Sequence, residues 1–497
     1  MVGLDVGTNG VRAVAVDPSG GVVAMATAGY PLHMPRPGWT EQDPEDWWQA
    51  SKTALRDLTS KLESPVTGLG LTGQMHGSVF LDERDRVIRR ALLWSDQRTA
   101  KQSKAITEIV GESRLLEIAG NPALTGFQAP KVLWLRDQEP EAYARVQHLL
   151  LPKDYVRLRL TGEFATDASD ASGTLLLDVR RRKWSDELLT ALDIPREWLP
   201  RVYESPDLTG KVTRVAAAET GLHSGIPVAA GAGDNAAAAV GLGIIRKGAA
   251  SVSIGTSGVL FVDSGGLIHA GGELHTFCHA VPGRYHMMGV TLAAGGSLSW
   301  WRDALFPGHD FEALTRAASQ VPAGSEGLLY FPYLSGERTP HRDPFARGGF
   351  LGLTTRHTGA HMTRAVMEGV AFSLKDSLDL IVAAGVNVKE LRATGGGARS
   401  DLWRQLLADT LRLPVYRTVV DEGPAYGAAL LGGVASGVYA NVDESTSVIK
   451  LRRQAEQPNP ERAELYRRYH AAYADFYPVA ASLMHRLADL ASDGSFV

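Results

Sequence analysis

The chain has 497 residues, more than one hydrophobic core usually supports, so its length implies two large domains with a cleft between them as the default ligand site. Its 44% hydrophobic and 21% charged residues are those of an ordinary globular protein, and a formal net charge of -4 excludes a general attraction to nucleic acid. The single cysteine, Cys278, excludes an intrachain disulfide; with a strand pattern over Met1 to Asp5 in place of a basic, apolar leader, a reducing cytoplasm is the expected setting.

Apolar segments over Val2 to Val6 and Val11 to Val16 flank Gly7-Thr8-Asn9-Gly10, and the same Gly-Thr-x-Gly turn recurs at Gly255-Thr256-Ser257-Gly258. Two such β-hairpins half a chain apart predict a duplicated α/β unit, one copy per domain. Glycine at both turn ends leaves amides and a threonine hydroxyl free to hold phosphate oxygens, although the same residues would also make two ordinary hairpins. After a strand over Val22 to Ala28, Asp43 has the position of a helix N-cap with Pro44 at the first helical residue. That helix is expected to reach about Leu62, with Trp47 on its core face.

Val66 to Leu71 reads as a strand delivering Gly73-Gln74-Met75-His76-Gly77 to a loop at its carboxyl end, where open α/β sheets bind ligands. His76, with no helix to pack in, reads as a substrate contact. The spelling Gly68-x-Gly70-x-x-Gly73 falls within the strand rather than opening a helix and is not taken as a dinucleotide fingerprint. Ala91 to Trp94 is a short strand, with Ser95 or Asp96 capping a helix from about Gln97. Trp94, Asp96 and Arg98 fit the lining of a polyol pocket; Asp96 and Arg98 fit equally well as a helix-start acid and a solvated base. Lys153, Asp154 and Tyr155 stand among apolar residues between Leu149 and Leu160, and Arg180 to Lys183 reads as a solvated face.

From Ile226 the chain runs as an apolar strand through Gly231-Ala232-Gly233-Asp234-Asn235 into a helix. The stretch to Ile245 approaches the ~20 residues that span a bilayer, but Asp234 and Asn235 interrupt it, so it is read as buried strand, turn and helix. An acid among small residues at a strand end is exposed to whatever the backbone lets approach, which makes Asp234 the expected chemical centre. Gly231-x-Gly233-x-x-Ala236 also fits a dinucleotide spelling, yet a carboxylate there would repel a pyrophosphate.

Further on, His275, Cys278 and His279 lack a fourth zinc ligand, and 275 and 278 would face opposite sides of a strand. Gly295-Gly296-Ser297, ahead of Trp300, either brings backbone close to a nucleotide or is an ordinary helix entry. Thr363 to Ala384 is the longest clean helical pattern. Leu391 to Thr394 then forms a strand ending in Gly395-Gly396-Gly397, glycines that let backbone approach a flat or anionic group, with Ser400 capping the next helix. Gly423-Pro424 opens another helix, and Glu461 to Leu490 is helical with a kink or split at Pro478.

These segments together resemble the FGGY carbohydrate kinases of the actin and hexokinase fold. Gly126 to Gln138 (GFQAPKVLWLRDQ) is similar to the first family segment, with Gln128 where Pro, Ser or Thr is usual, and Gly348 to Glu368 (GGFLGLTTRHTGAHMTRAVME) is similar to the second without departure. GQMHG, Leu151 to Phe164, GAGDNAA and Leu334 to His341 (LSGERTPH) look like the branch that phosphorylates D-xylulose. The resemblance covers nearly the whole chain. It implies an α/β, two-domain actin/hexokinase-like (ribonuclease H-like) fold with a duplicated α/β core and an interdomain cleft. Residues 1–245 would form the sugar-binding domain with the catalytic acid and 246–497 the nucleotide-binding domain, the terminal helix being free to pack back on the first.

The implied activity is ATP-dependent phosphorylation of D-xylulose to D-xylulose 5-phosphate, with ATP and Mg2+, no nucleic-acid or membrane partner, and a homodimer as the default assembly. By resemblance, Asp5 looks like the carboxylate that holds the magnesium through water. Thr8 and Asn9, with Gly255, Thr256 and Ser257, look like phosphate-cradling turns. Met75 and His76 look like sugar contacts, and Asp234 looks like the general base with Asn235 beside it. Trp300, Gly395, Gly396, Gly397 and Ser400 look like the adenosine end. The rival readings are a kinase of another ketopentose or polyol (D-ribulose, glycerol, gluconate), a dinucleotide-dependent oxidoreductase, and a sugar-binding regulator without turnover.

Overall fold

The computed structural model describes residues 1–492 of the chain. Two mixed sheets repeat one topology. In the first, the strands Val22–Gly29, Gly10–Val16 and Val2–Val6 form an antiparallel meander, and Leu69–Gly73 then Pro227–Ala229 continue in parallel with Val2–Val6. The second sheet runs Tyr285–Thr291, Gly258–Asp263, Ala250–Ile254, with Leu391–Thr394 then Val415–Tyr416 in parallel. The duplication expected from the two Gly-Thr-x-Gly turns is therefore present in whole sheets.

Equivalent connections follow equivalent strands. Leu69–Gly73 leads to the Gln74 to Gly77 loop where Leu391–Thr394 leads to Gly395 to Gly397. Pro227–Ala229 leads to the helix Asp234–Gly241, and Val415–Tyr416 to the helix Gly423–Ala435. The helix Gly423–Ala435 lies against the sheet of the other half, and Asp234–Gly241 packs chiefly on that helix. Ala239 and Leu242 join a buried cluster with Phe261, Phe277 and Val290 of the second sheet. Gly423–Ala435 crosses the first sheet so closely that a Cβ at Gly3 would sit 1.8 Å from the Ala425 carbonyl, and one at Gly70 1.8 Å from that of Ala428. The two helices also pack on each other, where a Cβ at Gly427 would stand 1.8 Å from the Ala237 carbonyl. Small residues here are a steric requirement.

Local expectations hold with shifts at the ends. Asp43 caps the helix Pro44–Thr59 by accepting from the Glu45 amide, and the helix stops short of Leu62. The helix after Trp94 begins at Ala100 with Thr99 as its N-cap, so neither Ser95 nor Asp96 caps it. The long helix is Gly359–Ala383. The terminal segment divides at Asp475 into Pro460–Ala474 and Phe476–Ser492, which leaves Pro478 in a first turn, where its missing N–H costs nothing. Tyr466, Tyr473 and Met484 of these helices pack into the core of the second sheet. The helix that lies against the first sheet is thus Gly423–Ala435 rather than the terminal one. Among the described residues, no helix is long and apolar enough to cross a membrane.

The interlock sets a clear stability expectation. Gly427→Ala should lower the unfolding free energy by at least about 3 kcal/mol through overpacking. Gly349→Ala, with nothing within 4 Å of the added methyl, should change it by less than about 0.5 kcal/mol in the same denaturant titration.

Candidate active site

The cleft between the two sheets holds two cavities, of about 250 and 350 Å³, and both are lined by Asp234, Asn235, Ser253 and Val259. The first cavity adds Met75, His76, Trp94, Phe127, Ser257 and Arg338. The second adds Arg12, Gly395, Gly396, Arg399, Asp421 and Gly423. Asp234 thus stands at the boundary of two chambers.

Its position is built from behind. Asp234 is the first residue of the helix Asp234–Gly241, and its Oδ1 accepts from the Asn235 amide at 2.7 Å and from Asn235 Nδ2 at 2.8 Å. The strand and turn ahead of it are held by buried charge. Arg157 donates to the carbonyls of Ala229 and Ala230, and the Gly233 amide donates to Ser169 Oγ at 3.2 Å. Ser169 in turn donates to Asp167 at 2.5 Å, and Lys153 Nζ lies 2.7, 2.9 and 3.2 Å from Asp154, Asp167 and Asp170. Lys153 and Asp154, read from sequence only as polar residues among apolar ones, are the centre of this fully buried ionic cluster.

The loop carrying Met75 and His76 is fastened by its carbonyls. Lys131 Nζ donates to the His76 carbonyl at 2.7 Å and to that of Gly126 at 2.8 Å. Gln128, the departure from the family segment, donates to the Gly77 carbonyl at 3.0 Å and the Leu150 carbonyl at 3.2 Å. His76 adopts a left-handed φ of 67° and its Nδ1 is 2.5 Å from the Gly173 carbonyl. Burial pushes the His76 pKa down to about 3, so the ring is neutral and presents its other nitrogen to the cavity wall.

The two turns behave differently. Trp94 Nε1 donates to Thr8 Oγ1 at 3.0 Å, which links a pocket residue to the first turn and leaves the threonine O–H to donate elsewhere. In the second turn the carbonyls of Gly255 and Thr256 accept from the amides of Gly295 and Gly296 at 2.7 and 3.0 Å. The Gly295-Gly296 pair is therefore the docking point of a helix against the turn, as an ordinary helix entry requires. Asn9 and Thr256 are exposed at the turn tips, while Ser257 lines the first cavity.

Asp5 lies on the strand ahead of the first turn, with its Oδ1 buried and without a hydrogen-bond partner among the described residues. Burial, with the charge of Asp234 acting in the same direction, raises the Asp5 pKa to about 7. Burial likewise raises Asp234 to about 6, against the opposing pull of its bonds to Asn235.

Not every expected residue reaches a cavity wall. Trp300 is 43% exposed and lines neither cavity. Ser400 is used as an N-cap, accepting from the Trp403 amide at 3.3 Å, and Gly397 packs against Ile254. Gly395 and Gly396 do line the second cavity. Asp96 and Arg98 are neither pocket lining nor solvated: they form a buried ion pair at 2.8 Å, with Arg98 stacked 3.7 Å over the Trp39 ring. Arg182, within the run read as a solvated face, is tucked in against Glu204 at 2.6 Å. Residues that the sequence reading passed over as pocket lining include Arg338, Ser253 and Phe127; strand alternation could have suggested Ser253, whereas nothing local distinguished Arg338.

A two-chambered cleft with a carboxylate at the boundary suits group transfer between two ligands, and the comparisons agree. Residues 1–241 match the N-terminal domain, and residues 250–436 the C-terminal domain, of the FGGY family of carbohydrate kinases. The chain belongs to the FGGY family of carbohydrate kinases. It is 42% identical to the xylulose kinase of Escherichia coli (strain K12), covering 97% of this chain and 99% of that one. It is also similar to the crystal structure of a xyloylose kinase from Brucella ovis (38% identity, TM-score 0.90, covering 97% of this chain and 99% of that one). The ligand-bound xylulose kinase from Lactobacillus acidophilus superposes at a TM-score of 0.93 with 27% identity, covering 98% of this chain and 99% of that one. As a carbohydrate kinase of the FGGY family, the chain transfers a phosphoryl group to a sugar acceptor.

Two expectations follow from the carboxylates. With Asp234 held at about 6, kcat/KM of an FGGY kinase that needs this group ionised should fall towards tenfold per unit as pH drops below about 6, and a flat profile down to pH 5 would remove the requirement. Lys153→Met, which strands three buried acids, should destabilise the chain by roughly 3–5 kcal/mol in chemical unfolding.

Proposed function

We propose that the chain is an ATP-dependent D-xylulose kinase in which Asp234 is the general base. The observation that carries this reading is the place of Asp234 on the shared wall of both cavities. The smaller cavity, with Met75, His76, Trp94 and Asn235, takes the sugar, and the larger, with Gly395 and Gly396, takes the nucleotide. The near-complete alignment with xylulose kinases supports D-xylulose among possible acceptors.

A phosphoryl transfer needs an in-line hydroxyl, neutralised charge and excluded water more than covalent help from protein. Asp234, ionised at neutral pH, accepts the hydroxyl proton as oxygen bonds to phosphorus; Asn235, which donates to the same carboxylate, fixes its orientation. The Thr8 hydroxyl and the amides of both Gly-Thr-x-Gly turns hold phosphate oxygens. Asp5 fits the magnesium of Mg-ATP: a buried, unpartnered carboxylate with a raised pKa calls for a cation, and the remaining ligands would be water and phosphate oxygens. Bound there, the ion supplies neutralisation of charge on the phosphates.

The test is ADP release in Mg-ATP with a panel of D-xylulose, D-ribulose, glycerol and gluconate. D-Xylulose is expected to give the highest kcat/KM. Asp234→Ala is expected to lose about 10²–10⁴-fold in kcat while still binding the sugar. Wild-type turnover in that variant would refute the base, and preference for another acceptor would refute the substrate alone.

A further inference from the structure

The sugar cavity contains a cation with nothing to hold. Arg338 lines the smaller cavity, and among the described residues its guanidinium donates no hydrogen bond and forms no ion pair. The adjacent acid does not serve it: Glu337 Oε2 accepts from Thr291 Oγ1 at 2.5 Å, and Glu337 Oε1 from the amides of Leu292 and Arg338 at 2.9 and 2.8 Å. The neighbouring polar groups are also engaged, with His275 Nδ1 at 2.9 Å from Asn121 Oδ1 and Trp94 on Thr8. A half-buried guanidinium that faces a cavity without a protein acceptor is satisfied by water or by a ligand group that takes the place of that water.

Its place in the cleft tells which ligand. Asp234 lines both cavities, whereas Arg338 lines only the one without Gly395 and Gly396. The nucleotide cavity has its own arginines, Arg12 and Arg399. Arg338 therefore stands in the acceptor cavity with Met75, His76 and Trp94, which the second turn also borders through Gly255 and Ser257. The chemistry of the two groups is complementary. The carboxylate of Asp234 only accepts, and suits a hydroxyl; the guanidinium of Arg338 only donates, and is best matched by a carbonyl oxygen, because a hydroxyl can accept from it but must also find an acceptor for its own proton. A ketopentose phosphorylated on its terminal 5-hydroxyl must be bound as the open chain, because the furanose ring would consume that hydroxyl. The open chain has one oxygen without a proton, the C2 carbonyl.

We infer that Arg338 is the specificity-determining residue of the acceptor site, donating to the carbonyl oxygen of an open-chain 2-ketose bound with its terminal hydroxyl on Asp234. This rests on the ketose kinase reading above and adds how that site tells a ketose from the polyol of the same length. A pentitol offers a hydroxyl in place of the carbonyl, an oxygen that still accepts but must also place its own proton, and a five-carbon aldonate offers, one carbon further on, a carboxylate that the guanidinium binds with charge on both sides.

Direct binding by calorimetry, without nucleotide, separates the outcomes. Wild-type protein should bind D-xylulose and D-xylonate more tightly than xylitol. Arg338→Met should weaken the first two by roughly tenfold or more and xylitol several-fold less than that, and Arg338→Lys should recover part of the loss. Retained xylitol binding in Arg338→Met reports an intact cavity. Equal loss of all three ligands, no loss of any, or a selective rise in the KM for ATP would overturn the assignment. If D-xylulose is not phosphorylated but another ketose keeps an Arg338-dependent preference over its pentitol, the substrate reading falls and the role of Arg338 stands. If the wild-type chain shows no preference for any ketose over its pentitol, the role of Arg338 falls whatever acceptor is phosphorylated.

Discussion

The closeness of two helices governs this molecule. Asp234–Gly241 and Gly423–Ala435 meet where Gly427 faces the Ala237 carbonyl, and the second of them lies on the sheet of the opposite half. The halves cannot separate without exposing these packed faces. The residues that begin these helices, Asp234 and Gly423, both line the second cavity. A constraint on backbone approach, met by alanine and glycine, thereby fixes the spacing between a carboxylate and a glycine turn. Larger side chains would raise apolar burial locally and lose the site.

Duplication explains how one topology serves two ligands. The loops after Leu69–Gly73 and Leu391–Thr394 are equivalent in the sheets, yet one carries Met75 and His76 and the other three glycines. Side chains fill the first position and shape a small cavity; their absence at the second leaves backbone open to a flat group. The electrostatics are asymmetric in the same sense. Asp5 and Asp234 are raised chiefly by burial, and each carboxylate also acts on a cleft that the Arg12 and Arg338 guanidinium groups share.

The buried cluster around Lys153 illustrates a different use of charge. Three acids and two bases out of water cost free energy that apolar side chains would not, and replacement of such clusters often stabilises a protein. Here the cluster reaches the Gly233 amide through Asp167 and Ser169, and Arg157 ties the two carbonyls just ahead of Gly231. Hydrogen bonds are directional where dispersion contacts are not, so the turn that carries Asp234 is held in orientation as well as in position. In sequence these residues looked like scattered polar interruptions of an amphipathic stretch, since their partners lie on separate segments.

Much of the site was legible because it is local. Turn glycines, an N-cap with proline after it, and an acid at a strand-to-helix junction express their physics within a few residues, and Asp43, the two hairpins and Asp234 were all located that way. Local signals said less where a residue had two local uses. Ser400 and Trp300 sit close in sequence to glycine-rich segments, and in the fold one caps its helix and the other is part-exposed outside both cavities. Asp96 and Arg98 could be judged only with Trp39 in view, more than fifty residues earlier. By itself the sequence determined the duplicated α/β frame and the family, because periodicity, turn stereochemistry and motifs are short-ranged. Only the tertiary structure decided which helix crosses to which sheet, that Asp234 borders two cavities, and that Arg338 is left without a partner, because those depend on which distant segments share a volume and which polar groups they leave unsatisfied.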